Sequence, residues 1–119
     1  MMSDLFKALS DENRLRILNL LFCKEMCVCE LEGILSMTQS NVSRHLIKLK
    51  NADIVVSKKS SQWAYYELSS AFVAENRLLI ADLKLKFGAN IQMLADIQKL
   101  TTLQSQQALC GGVSRVRAM

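Results

Sequence analysis

The sequence contains no proline and only four glycines among its 119 residues. Few breakers interrupt it, so long helical stretches are expected. No apolar run approaches the roughly 20 residues that a membrane-spanning helix needs. The opening segment Met1-Met2-Ser3-Asp4-Leu5 lacks a basic region followed by an apolar stretch, so no secretory signal is read there. The expectation is a cytoplasmic protein with no membrane partner. No internal repeat or low-complexity tract occurs. A chain of this length supports one domain with one modest core.

The four cysteines are Cys23, Cys27, Cys29 and Cys110. In a reducing compartment they are not expected to form structural disulfides. Metal binding or thiol chemistry is the better reading.

The net charge of +4 is unevenly placed. Residues 1–32 carry four basic and six acidic side chains. Residues 33–66 carry Arg44, Lys48, Lys50, Lys58 and Lys59 against Asp53 alone. The middle third is the electropositive part, as a site for a polyanion requires. A solvated basic face would show the same charge.

Apolar periodicity orders the chain. Leu5, Phe6 and Leu9 mark a first helix over 3–9. Ser10-Asp11 caps a second helix with Leu15, Leu18 and Phe22 on one stripe. A third runs from Val28 to Leu35. Ser36-Met37-Thr38 is a tight turn, and a fourth helix over 39–51 buries Val42, Leu46 and Leu49. Two β-branched and aromatic runs then flank Ser60-Ser61-Gln62. They are Ile54 to Lys59 and Trp63 to Leu68, which predicts a hairpin. One long helix is expected from Ser70 to Leu100 with Gly88 inside it. Its stripe of Ile80, Leu83, Phe87, Ile91, Leu94 and Ile97 is read as a homodimer interface, alongside packing within the protomer. The fold class is mainly α with a β-hairpin: a winged helix-turn-helix, homodimeric through its terminal helices. Residues 1–100 form the DNA-binding and dimerisation domain, and 101–119 a polar, mobile tail.

The fourth helix offers Gln39, Ser40, Asn41, Ser43, Arg44, His45 and Lys48. Asn and Gln can pair bidentately with adenine and Arg with guanine, while Ser serves bases or phosphates. Base readout is placed on Gln39, Ser40, Asn41 and Arg44, near the helix N-terminus. Ser43, His45 and Lys48 are placed on the backbone. Lys58 and Lys59, near the hairpin tip, can meet a phosphate or the minor groove. The implied partner is double-stranded operator DNA.

Cys27-Val28-Cys29 lies at the start of the third helix. Two thiolates suit soft ions such as As(III), Sb(III), Cd(II), Pb(II) or Zn(II). Side chains at i and i+2 of a regular helix point roughly 200° apart. One ion would therefore have to loosen that turn, and the DNA-bound shape with it. Cys23 can be a small hydrophobe. Cys110 is a bystander thiol or a distant third ligand.

Several segments resemble the ArsR/SmtB-type repressors. Leu5 to Leu18 is similar to their opening. Cys27-Val28-Cys29-Glu30-Leu31 resembles their metal-sensing box. Gln39-Ser40-Asn41-Val42-Ser43-Arg44-His45-Leu46 resembles their recognition helix, and Trp63 to Leu68 their wing's return strand. The match covers about residues 4–70. It implies a homodimer that represses its own resistance operon, has no constitutive cofactor and leaves DNA when an inducer binds. The arsenical-resistance branch is the most similar, which makes As(III) or Sb(III) the implied inducer. That branch often reads Cys-x-Cys-x-x-Cys. Here Glu32 takes the third position, so a trigonal site needs Cys23, Cys110 or an outside thiol. The zinc branch uses histidine on the last helix, and this chain has none after His45.

Three alternatives stand beside this reading. One is a repressor of the same fold that answers to Cd(II), Pb(II), Zn(II) or thiol oxidation, although an i, i+2 disulfide is strained. Another is a thiol-dependent reductase, disfavoured by Glu25, Glu30 and Glu32 around the pair. The last is a protein-interaction winged helix, disfavoured by the basic middle third. An enzyme is not expected.

Overall fold

The computed structural model describes residues 2–106. In order, its elements are α1 (Met2–Leu9), α2 (Glu12–Leu21), β1 (Met26–Cys27), α3 (Val28–Leu35) and α4 (Gln39–Asn51). There follow β2 (Val55–Ser60), β3 (Trp63–Leu68), α5 (Ser70–Glu75), α6 (Arg77–Gly88) and α7 (Ile91–Gln106). Among these residues no helix is long and apolar enough to cross a membrane.

Capping chemistry sets the helix starts. The Asp11 carboxylate accepts the N–H groups of Asn13 at 2.9 Å and Arg14 at 3.1 Å. These are donors that the first turn of α2 cannot pair internally. Thr38 caps α4 by accepting the Asn41 N–H at 3.2 Å. Between them, Ser36 takes a left-handed conformation (φ 56°) and donates its N–H to Glu32 O at 2.9 Å. That ends α3 and turns the chain into α4.

The apolar stripes of α2, α3 and α4 meet in one core. Ile17, Leu18, Leu20, Leu31, Val42, Leu46 and Leu49 have no exposed surface. Ile54 and Val55 close this core where α4 leads into β2. The hairpin forms where the sequence predicts it, with Ser60 opposite Trp63 and Val55 opposite Leu68. Helices ending in α4, then this hairpin, make a winged helix-turn-helix.

Two features depart from the sequence reading. β1, which was not expected, pairs antiparallel with β3 and makes a three-stranded sheet of order β1-β3-β2. Two residues are too few to display a strand period. The single long helix is also not formed. The Asn76 side chain donates to Phe72 O at 3.1 Å, and the Asn90 side chain accepts the Met93 N–H at 2.9 Å. Asparagine competes with helical backbone pairing in this way, so breaks fall at both sites. Gly88 ends α6 and is not an interior residue.

The expected stripe is accordingly divided. Ile80 and Phe87 are buried within the protomer, with the Phe87 and Phe22 ring centroids 5.9 Å apart. Ile91 and Leu94 are exposed. α7 runs through Gln106, so the first residues of the expected tail are helical. The rest of that segment, Cys110 included, lies outside the described residues.

α7 is fastened across α2 and α3 by polar contacts. Arg16 reaches both carboxylate oxygens of the buried Asp96, at 2.8 and 2.9 Å. The Asn19 side chain donates to Met93 O at 3.1 Å, and Lys99 Nζ to Ile34 O at 3.0 Å. The last contact lies at the end of α3, beside the turn into α4.

Candidate functional site

α4 presents its polar side away from the core. Gln39, Ser40, Arg44 and Lys48 are exposed, and Asn41 and Ser43 are half-buried. Arg44 Nη2 donates to Asn41 Oδ1 at 2.6 Å, which holds the guanidinium over the first turn. Lys50 Nζ donates to Ser57 Oγ at 3.0 Å and joins α4 to the wing. Sequence reasoning assigned Lys50 no site role; its place in the basic last turn of α4 was the available signal.

His45 stands apart from this group. It is buried beside Val42, Leu46 and Leu49 on the inner side of α4. Its ring nitrogen Nδ1 lies 3.3 Å from Arg14 Nη1 and 4.0 Å from Asp11. A guanidinium can only donate, so Nδ1 accepts and the ring proton sits on Nε2. Burial pushes the His45 pKa down, and the nearby Arg14, Arg44 and Lys48 charges add to this against the upward pull of Asp11. The imidazole is therefore neutral at neutral pH, and its contact with Asp11 is not an ion pair. Burial raises the Asp11 pKa, but the Arg14 N–H, the Arg14 charge, the charge that His45 gains when protonated in acid and the Asn13 N–H together hold it below the ordinary value. Sequence reasoning grouped His45 with the DNA-backbone contacts; in the structure its ring faces α2.

On the wing, Lys58 and Lys59 are both exposed. Lys58 Nζ lies 3.1 Å from Glu25 and 3.5 Å from Glu67. The Glu25 hydrogen bond is the main reason its pKa is raised. No sequence pattern pairs Glu25 with Lys58, because the unexpected β1 brings them together.

The cysteine pair spans a junction and not a helical turn. Cys27 ends β1 with extended backbone (φ −93°, ψ 167°) and is the N-cap of α3. It is buried, whereas Cys29, in the first turn, is half-buried. The angle of roughly 200° between i and i+2 in a regular helix thus does not describe them. Glu30 completes the cap. Its buried carboxylate accepts the Cys27 N–H at 2.9 Å and lies 3.5 Å from Lys24 Nζ.

Cys29 is disulfide-bonded, contrary to the sequence expectation. Neither Cys23 nor Cys27 is joined to it. Cys23 lies just beyond the end of α2 and is exposed, its Sγ 3.8 Å from Asn19 O, and burial raises its pKa against the charge of Lys84. Among the described residues no three His, Cys, Asp or Glu side chains form a group that could hold a metal ion. Cys23 therefore does not complete a three-donor set with Cys27 and Cys29. The two sulfurs at the junction fit a thiophilic ion by donor type once Cys29 is reduced.

Comparisons with known proteins bear on this arrangement. Residues 11–57 match the family model described as bacterial regulatory protein, arsR family. An arsenic resistance transcriptional regulator of Pseudomonas putida is 37% identical over 94 residues, which is 78% of this chain and 79% of that one. The transcriptional repressor BigR from Xylella fastidiosa superposes with a TM-score of 0.63 at 30% identity, covering 74% of this chain and 84% of that one. A homodimeric winged helix-turn-helix DNA-binding domain from Mycobacterium bovis gives a TM-score of 0.62 at 26% identity, over 70% and 77% of the two chains. The matched segment runs from the α2 cap through α4 into the wing, and with the fold it shows that the chain belongs to the arsR family of bacterial regulatory proteins.

Proposed function

We propose that the chain is a homodimeric transcriptional repressor that binds operator DNA and leaves it when As(III) or Sb(III) engages Cys27 and Cys29. In this reading α4 enters the major groove. Gln39, Ser40, Asn41 and Arg44 read base edges, while Ser43 and Lys48 hold the backbone. Lys58 and Lys59 bring the wing to phosphates. His45 acts from inside, seating α4 on α2. Met2 and Phe6 on α1, with Ile91 and Leu94 on α7, are large exposed apolar side chains. They supply the surface for a dimer built on the terminal helices, with one half-site for each protomer. The role is regulatory and not catalytic, needs no constitutive cofactor, and belongs in the cytoplasm.

One observation carries the release step: Cys27 belongs to two elements at once. Its backbone pairs with Tyr65 in the wing's return strand. It also caps α3, which packs on α4. A trivalent thiophilic ion supplies bonds to sulfur, for which both thiols must give up their protons. Cys29 takes part only as a reduced thiolate. Drawing the Cys27 sulfur toward Cys29 disturbs the cap that Glu30 completes. The start of α3 then shifts beneath α4, and the β1–β3 pairing shifts beneath the wing. A third sulfur comes from Cys110 or an outside thiol.

The test is a DNA-binding titration by fluorescence anisotropy. The duplex is one that the reduced protein selects from a random pool. As(III), Sb(III), Cd(II), Pb(II), Zn(II) and peroxide are added to the wild type, Cys27→Ser and Cys29→Ser. As(III) and Sb(III) are expected to release the wild type and to spare both variants. Release by As(III) that survives both substitutions would falsify the site. Release by Cd(II) or Pb(II) alone would move the inducer to those cations.

A further inference from the structure

We infer that Ile47 determines part of the DNA sequence preference by packing against the 5-methyl group of a thymine in the major groove. This rests on the DNA-binding reading of α4 given above.

Ile47 is 55% exposed on α4. It is three residues after Arg44 and four after Ser43, so at 100° per residue it falls in their outward strip. The strip's other members, Ser40, Ser43, Arg44 and Asn51, are all polar. The inner side of the helix is occupied by Val42, His45, Leu46 and Leu49. Ile47 is thus an apolar side chain in the middle of a face otherwise built of hydrogen-bonding groups.

A single exposed isoleucine is ordinary on a protein surface. Its setting is what points to an occupant here. The strip is bordered by the basic Lys48 and Lys50, and Lys50 is tied to Ser57 of the wing at 3.0 Å. A groove-bound duplex would cover this strip with base edges. Among the groups those edges present, the thymine methyl is the apolar one. The β-branched side chain is stiff at χ1 and loses little freedom on contact. Ile47 then discriminates thymine from cytosine at one position per half-site, beside the polar readout of Arg44.

The experiment uses the selected duplex, with each thymine replaced in turn by deoxyuridine. This removes the methyl and keeps the base pairing. Wild type, Ile47→Ala and Arg44→Ala are compared by anisotropy, with thermal melts to check the fold. The wild type is expected to lose about fourfold in affinity at one thymine per half-site, the effect of burying one methyl-sized group. Ile47→Ala should bind both duplexes equally, at the level of the wild type on deoxyuridine. Arg44→Ala should bind more weakly overall yet keep the deoxyuridine effect. The inference is overturned if the wild type ignores every replacement, or if Ile47→Ala keeps the full effect. Tight selection of a duplex with either of those results leaves DNA binding standing. A wild type that selects no duplex overturns both readings.

Discussion

Cys27 and Lys58 stand opposite the same residue. Tyr65, on the central strand β3, pairs with Cys27 of β1 on one side and with Lys58 of β2 on the other. The thiol and the wing lysine thus share one cross-strand row. Glu25, two residues before Cys27, holds Lys58 Nζ at 3.1 Å. The segment that carries the thiol therefore also restrains the lysine proposed to meet DNA. Both groups are exposed, so the pair adds little to stability. Its effect should appear in binding, because Lys58 must leave a carboxylate to meet a phosphate.

Glu25→Gln is expected to tighten DNA binding, and Lys58→Ala to weaken it across all sequences. The slope of log affinity against log salt should fall by about 1 in Lys58→Ala. Glu25→Gln should keep the wild-type slope or steepen it. Titrations over a series of salt concentrations measure this. An unchanged slope in Lys58→Ala would remove the wing lysine from the interface.

The parts of this site that were legible in sequence are local ones. Asp11 and the Thr38 turn signal helix starts within three residues, and the polar loop before Trp63 signals the hairpin. The parts that were missed depend on partners distant in the chain or on helical phase. β1 exists because Met26 and Cys27 find Tyr66 and Tyr65 some forty residues on. His45 reads as one polar residue among several on α4. Its position three after Val42 and four before Leu49 turns it inward, where Arg14 and Asp11 accommodate it. The breaks at Asn76 and Asn90 were visible as asparagines, but an unbroken apolar stripe outweighed them.

The buried His45 makes stability depend on pH. Its folded pKa lies below the ordinary 6.5. Between the two values the unfolded chain binds more protons, so stability rises with pH there and is lost as pH falls below 6.5. Asp11, held below its ordinary 3.8, adds a second loss as pH falls through that lower range. Urea unfolding between pH 8 and 5 should show the first loss in the wild type and not in His45→Gln. A flat wild-type profile over that window would contradict the buried neutral ring.

Arg16 and Asp96 decide how firmly α7 is attached. The Asp96 side chain is only 3% exposed, so Arg16→Ala strands a buried carboxylate. The expected loss is about 3–5 kcal/mol, read from urea or thermal unfolding. Adding Asp96→Ala should recover part of it, because the stranded charge is removed. A double variant as unstable as the two single losses added together would mean that the two groups do not act as a pair.

Arg44 and Asn41 are joined at 2.6 Å, so their contributions to DNA reading should not be independent. Arg44→Ala is expected to weaken specific binding by about 1–3 kcal/mol and to relax preference at one base pair, as loss of a bidentate guanine contact does. If Asn41 acts mainly by aiming the guanidinium, Asn41→Ala should lose part of that amount. The double variant should then be no worse than Arg44→Ala alone. Additive losses would instead give Asn41 a base contact of its own, with a second base pair relaxed. A duplex library binding assay on the three variants separates these outcomes, because aiming changes one position and independent reading changes two.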